Sequence, residues 1–363
     1  MTKIETRKQR HINISLHNNV QSDISTGFED IRLIHRAIPE MNLSEISTET
    51  KLFGKRLNAP LLISALTGGT AEARRINSTL AHAAKAFGIG LGVGSQRIAI
   101  EQKEKEGSFR VVREIAPDAL IIGNLGCPQL SFGWGVAEAK RCIEMIAADA
   151  LAIHMNPLQE AVQLEGETNY RGILNKLKEI TRSLNVPIIM KETGCGVAFE
   201  DAVRIEEAGV AGIEVSGLGG TSWAAIEHFI AKEAGKKEQE ALGKALWNWG
   251  IPTAVSVVEI KRSTGLRVIA SGGIRTGTDM AKAIALGADA VGIAKPFLDK
   301  AVEGRDILVE HIESILGEFR VVMFLVGAKN VEELRRVPLV ILGKTAEWLN
   351  TRGFATEEYA RRR

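Results

Sequence analysis

The chain has 363 residues, 45% of them hydrophobic and 25% charged, which is ordinary for a protein with a large buried core. Its 46 basic and 44 acidic residues leave a formal net charge of +2, too balanced for the basic surface that nucleic-acid binding requires. Three widely spaced cysteines predict neither disulfides nor a metal-binding pair, and no run approaches the about 18 apolar residues of a membrane span. The N-terminus lacks an apolar signal segment, so we expect a cytoplasmic protein without nucleic-acid or membrane partners.

The first 58 residues are polar and irregular, with no clear hydrophobic period before Phe28, and we assign them to an N-terminal arm and lead-in. Residues 59–363 are expected to form one domain. Its predicted strands are Pro60 to Ser64, Gly90 to Gly94, Leu120 to Gly123, Leu151 to His154, Pro187 to Lys191, Gly212 to Val215, Val268 to Ala270 and Ala290 to Ile293. Helices are predicted over Ala71 to Phe87, Val136 to Ala147, Ile173 to Leu184, Ala198 to Ala208, Val255 to Ser263 and Thr278 to Leu286.

Short apolar strands that alternate with amphipathic helices are typical of a parallel sheet covered on both faces. Eight such strands favour the closed α/β architecture of a TIM (β/α)8 barrel over an open sheet. Two closing helices are predicted after the barrel, over Ile307 to Val326 and Val331 to Asn350.

An insertion follows the sixth strand, because about fifty residues separate Val215 from Val268 where a barrel unit needs roughly thirty. It contains a charged helical stretch from Glu227 to Gly243, followed by Trp247 and Trp249. An insertion at this point lies on the face of the barrel that carries active sites. The sequence leaves open whether it forms a lid, a subunit contact or a helical hairpin packed on its own tryptophans.

The segment from Arg267 to Lys295 predicts a strand, a Gly-rich turn, a helix and a second strand. In the turn, Ser271 to Gly273 lets backbone N–H groups approach a ligand, because glycine has no side chain. Thr276 or Thr278 can cap the helix that follows, and the N-terminus of that helix favours an anion. Since barrels commonly bind phosphate near the last two strands, we interpret the segment as a phosphate cradle, with an ordinary Gly turn as the alternative.

Polar groups cluster after the fourth strand, in the run from His154 to Glu160. Glu160 is a hard oxygen donor suited to Mg²⁺, which typically binds one or two carboxylates together with substrate phosphates. No second acidic partner lies nearby in sequence, so the substrate would supply the remaining oxygens. A solvated loop with a capping Asn156 is the alternative, and His154 is expected to be a hydrogen-bonded barrel residue rather than a ligand.

The other strand ends add cations, an amide, hydroxyls and glycines. Lys191 projects into the barrel mouth, where partial burial favours pairing with an anion or a carbonyl. Arg97 could bind a phosphate or form a surface pair, and the Asn124 amide suits a ring with donors and acceptors. This set fits flavin mononucleotide (FMN), whose ring needs flat walls and whose reduced form is stabilised by a cation near N1. The remaining members are Thr67, Gly68, Gly69, Ser95, Ser216, Thr221, Gly272, Gly273, Arg275, Ala294 and Lys295.

The N-terminal arm carries a basic cluster. If it is helical, Arg7 and His11 share one face at a spacing of four residues, with Lys8 beside them. Such a cluster suits a diphosphate, although a terminal charge run is often a solvated tail.

Taken together, these motifs resemble the type 2, FMN-dependent isopentenyl-diphosphate isomerases over nearly the whole chain. The resemblance rests on the arm, TGG (Thr67 to Gly69), SQR (Ser95 to Arg97), GNLG, HMNPLQE, KETGCG, SGLGGTSW, WGIPTA, SGGIRTG and the final AK pair. HMNPLQE combined with the basic arm is the specific part, since other flavin barrels share only the Gly-rich cradle. Leu66 departs from the pattern, which usually has Met before TGG.

The resemblance implies a reaction that moves a double bond between isopentenyl and dimethylallyl diphosphate, with FMN first reduced by NAD(P)H and then acting as acid and base. It implies homotetramers or homo-octamers, Mg²⁺ on Glu160, and no assigned catalytic side chain, with His154 and Gln159 nearby. Substrate would contact Arg7, Lys8, His11, Ser95, Arg97, Asn156 and Gln159. FMN would contact Thr67, Gly68, Gly69, Ser95, Asn124, Lys191, Ser216, Thr221, Gly272, Gly273, Arg275, Ala294 and Lys295.

Three other functions remain to be weighed. An FMN-dependent 2-hydroxyacid dehydrogenase or oxidase wants a His base with a close Arg, but the loop from Ser271 to Gly277 has Arg275 and no His. A nucleotide dehydrogenase would use a loop cysteine, yet Cys127 and Cys195 each follow a Gly and read as inert small residues. A barrel that merely binds FMN would have little use for HMNPLQE or the arm.

Overall fold

A computed structural model describes residues 3–362 and contains a closed barrel of eight parallel strands. The barrel order is β4, β5, β6, β7, β8, β9, β10 and β11, so that β11 pairs with β4 and closes the sheet. The strands are β1 Ile31–Leu33, β2 Thr50–Leu52, β3 Lys55–Leu57, β4 Leu61–Ile63, β5 Gly90–Gly92, β6 Ile121–Gly126, β7 Ala150–His154, β8 Ile188–Lys191, β9 Gly212–Glu214, β10 Arg267–Ser271, β11 Ala290–Ile293 and β12 Leu339–Ile341.

The barrel strands are linked by helices that cover the outside of the sheet. The helices are α1 Lys3–His17, α2 Ala71–Phe87, α3 Arg97–Glu101, α4 Gly107–Ile115, α5 Cys127–Ser131, α6 Val136–Ile146, α7 Pro157–Val162, α8 Ile173–Ser183, α9 Phe199–Glu207, α10 Trp223–Glu233, α11 Lys237–Ala245, α12 Thr253–Ser263, α13 Gly277–Ala285, α14 Lys295–Glu303, α15 Arg305–Leu325, α16 Val331–Leu334, α17 Gly343–Thr351 and α18 Glu357–Ala360. Short 3₁₀ turns cover Phe28–Asp30, Leu43–Glu45 and Lys103–Lys105.

The barrel predicted from the alternating pattern is confirmed, and all eight predicted strands overlap β4 to β11. The pattern is readable because these strands are buried on both faces and so are apolar throughout, as β4 and β11 show. Helix α2 runs over Ala71–Phe87, as predicted, because Thr70 caps its start and Gly88 ends it at a φ of 60°.

The β2–β3 hairpin closes the N-terminal end of the barrel. Leu52 and Leu57 of the hairpin are buried in the same apolar cluster as Leu62, Ile122 and other inward-facing strand residues. This end is therefore filled by side chains, and the polar groups that follow the strands collect at the opposite, carboxyl end.

The arm forms the regular helix α1, which meets the condition under which its basic residues share one face. One prediction for the other end of the chain was wrong in detail. The closing segment from Val331 to Asn350 is not one helix, because Pro338 lacks the N–H that a helix interior needs and disfavours a helical conformation in the residue before it. The residues after Pro338 instead form β12, which pairs antiparallel with β1.

The insertion after β9 is a pair of helices, α10 and α11, separated at Gly235 with a φ of 68°. The stretch predicted as helical from Glu227 to Gly243 is thus interrupted. Helix α10 packs on α1 and α7, so the insertion meets both the arm and the segment after the fourth barrel strand. Over residues 3–362, none of the helices has the length and apolar character needed to cross a bilayer.

Candidate active site

A cavity of about 520 Å³ opens at the carboxyl ends of the barrel strands. Nearly all the predicted site residues line it, although they come from the arm and from every part of the barrel. The lining includes Arg7, Lys8, His11, Thr67, Ser95, Arg97, Asn124, His154, Asn156, Gln159, Glu160, Lys191, Ser216, Thr221, Gly272, Gly273, Arg275, Ala294 and Lys295.

Gly68 and Gly69 are the two predicted site residues outside this lining. A Cβ on Gly68 would collide with the Phe109 ring, and one on Gly69 with Ile98, so packing alone demands glycine at both positions. The Gly68 carbonyl nevertheless serves the site indirectly, because it accepts a 2.9 Å hydrogen bond from Lys8 Nζ.

The floor of the cavity holds a buried ion pair between neighbouring strands. Lys191 Nζ lies 2.9 Å from Glu214 Oε1 and donates to Ser216 Oγ at 2.6 Å. Ser64 Oγ donates to the same Glu214 oxygen at 2.6 Å. The sequence analysis missed Glu214 because it placed this residue inside the predicted strand Gly212 to Val215, whereas β9 ends at Glu214.

His154 is held by its neighbour on the adjacent strand. Its Nδ1 lies 2.7 Å from Asn124 Oδ1, an acceptor, so the ring carries its proton on Nδ1 in this pair. Burial, followed by the charges of Lys191 and Lys8, lowers the pKa of His154 to about 4. The imidazole is therefore neutral near pH 7, in line with the expected hydrogen-bonded barrel residue.

A chain of polar side chains joins the run after the fourth strand to the insertion. Asn156 Nδ2 donates to Glu160 Oε1 at 2.8 Å and to Gln159 Oε1 at 3.0 Å. Gln159 Nε2 donates to Glu227 Oε1 at 3.0 Å, and His11 Nε2 lies 3.1 Å from that oxygen. Helix α10 thus contributes Glu227 to the site, which no local sequence pattern indicated.

Glu160 has an acidic neighbour that the sequence analysis did not recognise. The second Glu160 oxygen accepts a 2.8 Å hydrogen bond from the Glu167 backbone N–H and another from Gln163 Nε2. The Glu167 carboxylate lines the cavity and lies 3.3 Å from Arg97 Nη1. Among residues 3–362, no group of three or more His, Cys, Asp and Glu side chains is arranged to hold a metal ion unaided.

The arm reaches the cavity through Lys8. Its Nζ donates to the carbonyls of Gly68 and Ser95, each at 2.9 Å, and lies 5.5 Å from the centre of the Phe109 ring. Burial, followed by the positive charge of Arg7, lowers the pKa of Lys8 to about 7. An anion bound beside Lys8 would restore its charge, so this part of the wall is suited to a phosphate group.

The Gly-rich turn that the sequence predicts as a phosphate cradle lines the cavity, but the start of the helix that follows it does not. Thr276 caps α13 as predicted, while the N–H groups of Gly277 and Thr278 donate to the Glu318 carboxylate at 3.0 Å. That helix start is therefore already satisfied by the chain itself. The cavity is lined instead by Gly272 and Gly273, with φ of 101° and 75°, and by the start of α14 at Ala294 and Lys295.

The two loop cysteines are unsuited to nucleophilic chemistry, as expected. Burial raises the pKa of the Cys127 thiol to about 12 and raises the pKa of the Cys195 thiol further still. A nucleophilic cysteine requires the opposite shift, because the thiolate is the reactive form.

Comparison with known proteins agrees with this geometry. A model of the FMN-dependent dehydrogenase family matches residues 13–111 and 141–340. Lactate oxidase of Pediococcus acidilactici has the same fold, with a TM-score of 0.66 and 18% identity over 94% of this chain and 95% of that chain. Mandelate oxidase bound to (S)-2-phenylpropionate gives a TM-score of 0.63 with 19% identity, over 93% and 98% of the two chains. Fold and family model thus define the class, an FMN-dependent α/β barrel.

Much closer relatives narrow this class. Isopentenyl-diphosphate delta-isomerase of Methanosarcina barkeri is 48% identical over 98% of this chain and 96% of its own length. The protein of the same name from Methanothermobacter thermautotrophicus is 46% identical over 99% of this chain and 99% of its own length. That from Thermococcus kodakarensis is 48% identical over 95% of this chain and 94% of its own length. The chain belongs to the isopentenyl-diphosphate delta-isomerase family, which confirms the resemblance seen in its motifs.

Proposed function

We propose that this protein interconverts isopentenyl and dimethylallyl diphosphate for isoprenoid biosynthesis, using reduced FMN and Mg²⁺ without net redox change. The observation that carries the proposal is the division of the cavity into two halves. One half is a Gly-lined cradle with a buried lysine. The other holds basic arm residues and the amide-bound carboxylate of Glu160, which hydrogen bonds link to His11 of the arm.

The first half fits FMN. Gly272, Gly273, Ala294 and Lys295 line the cavity and would hold the FMN phosphate, and the buried Lys191 lines the same cavity and would contact the flavin ring. A Cβ on Gly272 would strike the Gly217 backbone, so the loops after β9 and β10 can approach only through glycine. When bound and reduced by NAD(P)H, FMN would supply the acid and base for the double-bond shift.

The second half fits a diphosphate with its metal. Arg7, Lys8 and His11 lie along one side of α1 and line the cavity, which places positive groups where phosphate oxygens can be bound. Glu160 offers one carboxylate, so Mg²⁺ would complete its coordination with diphosphate oxygens and water. Arg97 would exchange part of its pairing with Glu167 for a phosphate oxygen.

The histidines argue against a 2-hydroxyacid oxidase, although such oxidases share the fold. Among the cavity-lining residues that the structure describes, the histidines are His11 and His154. His11 is bonded to Glu227, and His154 is turned toward Asn124. The loop after β10, where a His base would be expected, offers Arg275 instead, and that guanidinium bonds to Gln21 and to the Gly273 carbonyl.

An anaerobic assay tests the proposal. Protein loaded with FMN and Mg²⁺ and reduced with NADPH should convert isopentenyl diphosphate to dimethylallyl diphosphate, and oxidised protein should not. Omission of the reductant is the control. Oxidation of lactate or glycolate without isomerisation would assign the protein to the oxidases instead. Sedimentation would check the proposed homotetramer or homo-octamer, and fractionation the proposed cytoplasmic location.

A further inference from the structure

The carboxylate of Glu214 has no role in the function proposed above, yet it lies inside the cavity. Glu214 is 6% exposed and Lys191 is 8% exposed, and the two side chains meet at 2.9 Å. A buried carboxylate is costly unless it is paired and hydrogen-bonded, and here Lys191 and Ser64 satisfy one of its oxygens. The Lys191–Glu214 ion pair is therefore an ordered, hydrogen-bonded part of the cavity floor.

The barrel geometry places this pair by register. Lys191 and Glu214 are partners across the parallel strands β8 and β9, at the carboxyl ends of both. On the far side, a Cβ on Gly292 would collide with Ser64 Oγ and crowd the carboxylate, so glycine in β11 leaves the space that Glu214 occupies. Ser216 and Ser271 lie 3.1 Å apart and complete the hydrogen-bonded floor.

Other titratable groups near Lys191 do not neutralise the positive charge of Lys191 as Glu214 does. His154 is neutral near pH 7 for the reasons given above. Glu192 directs Oε2 to the backbone N–H groups of Thr193, Gly194 and Cys195, at 2.6, 2.6 and 2.5 Å. Glu214 is thus the acidic group in direct contact with the Lys191 ammonium within the described part of the chain.

We propose that Glu214 is a positioning residue that holds the Lys191 ammonium in place and offsets its charge in the part of the cavity that would hold FMN. This inference rests on the proposed function, because it needs FMN in the Gly-lined half of the cavity. An ammonium without that offset would stabilise the anionic form of the reduced flavin and lower the pKa of its ring N–H, so that this proton would be lost to solvent. With Glu214 opposite, the reduced flavin keeps that proton, as an acid catalyst must.

Replacement of Glu214 tests the proposal on the FMN-loaded protein. Glu214→Gln leaves the lysine charge without its offset, so the equilibrium constant for two-electron reduction of bound FMN should increase at least tenfold. A tenfold increase corresponds to a midpoint potential about 30 mV more positive. Absorbance of the reduced protein against pH should show at least a tenfold stronger acidity of the flavin. Ser64→Ala is the matched control, since it removes a hydrogen bond from the carboxylate without changing charge and should shift both quantities less than threefold.

The opposite single variant and the double variant extend the test. Lys191→Gln should shift reduction in the opposite direction, and Lys191→Gln with Glu214→Gln should return close to the wild type. Unchanged potential and acidity in a Glu214→Gln protein that binds FMN would overturn the proposal. If Glu214→Gln does not fold, the midpoint potentials of the other two variants are compared. A double variant whose potential differs from that of the wild type by more than that of Lys191→Gln would overturn the proposal. The proposed function is judged separately, by isomerase activity of the wild type.

Discussion

At the scale of single residues, two carboxylates fix the orientation of the side-chain amides of Asn156 and Gln159 in the cavity wall. Glu160 and Glu227 can only accept hydrogen bonds when ionised, so Asn156 and Gln159 must turn their NH₂ groups toward them. The carbonyl of Asn156 is then left to accept from the Tyr170 hydroxyl, at 3.3 Å. Each amide thus has one satisfied orientation, and Tyr170 supports it from outside the cavity lining.

Tyr170→Phe should weaken binding of Mg²⁺ with inorganic diphosphate about five- to tenfold, because loss of one hydrogen bond costs about 1 kcal/mol. FMN affinity should not change. Calorimetric titration measures both. Tyr359→Phe is a matched control, since the chain has 2 tyrosines and the Tyr359 hydroxyl donates to the Leu286 carbonyl at the same 3.3 Å. Equal losses in the two variants would contradict a role for Tyr170.

Glu160→Gln should raise the Mg²⁺ concentration needed for half-maximal activity at least tenfold, because an amide is a neutral and weaker ligand for a hard cation. The spectrum and affinity of bound FMN should stay those of the wild type. Glu179→Gln, at an exposed position, serves as the control. Loss of FMN from the Glu160 variant, with no change in the Mg²⁺ requirement, would show that this residue is misplaced.

The pKa of Lys8 predicts a dependence of kcat/KM on pH. Because burial and Arg7 lower the pKa of the substrate-free Lys8 to about 7, the ammonium is present below pH 7 and is lost above it. Attraction of a diphosphate, and with it kcat/KM, should therefore fall as pH rises through about 7. Lys8→Arg keeps its charge in this range and should flatten that limb. The same fall of kcat/KM with pH in both proteins would show that another group causes it.

At the scale of elements, the arm is anchored by the chain that follows it. Residues Val20 to Ser22 pair with Gly220 to Ser222 after β9, with hydrogen bonds of 2.9 Å and 2.8 Å. Trp247 of the insertion donates its indole N–H to the Gln21 carbonyl at 2.9 Å. The insertion therefore packs within its own chain, where it supports the arm and places Glu227 against Gln159.

Two arginines of α1 give a matched test of the arm. Arg7 lines the cavity, whereas Arg10 is exposed to solvent. Arg7→Ala should raise the KM for the diphosphate at least fivefold, because it removes a charge beside the bound phosphates, and Arg10→Ala should leave it within twofold. Removal of residues 1–11 should exceed the Arg7 effect while FMN stays bound. An unchanged KM after that removal would make the arm a solvated tail.

At the scale of the whole molecule, a filled barrel with one open end links cofactor binding to stability. A ligand that binds only the folded protein stabilises it, by about 2.7 kcal/mol at 100 times its dissociation constant. Removal of FMN should therefore lower the melting temperature by several degrees, and added FMN should restore it. Riboflavin, which lacks the phosphate, should restore less. Equal rescue by riboflavin would argue that Gly272, Gly273 and the start of α14 bind no phosphate.

The sequence could predict the barrel and most of its rim because these depend on local order. Buried strands are apolar, helices begin and end at capping residues, and the carboxyl ends of parallel strands meet at one face. Lys191 and Glu160 were therefore found by reading what lies at or just beyond each strand. Glu318 was not, because its hydrogen bonds to the start of α13 span about forty residues. These bonds occupy the N–H groups that were expected to bind an anion.

By itself, the sequence determined the fold class, the family and most of the polar residues that line the cavity, since each follows from periodicity or from motifs contiguous in the chain. Only the tertiary structure decided which charged groups pair with each other and which polar groups they bind. Glu214 reaches Lys191 through strand register, and Glu227 reaches Gln159 through the packing of α10. Electrostatic and hydrogen-bond partners depend on distances in space, and residues far apart in the chain carry no local record of them.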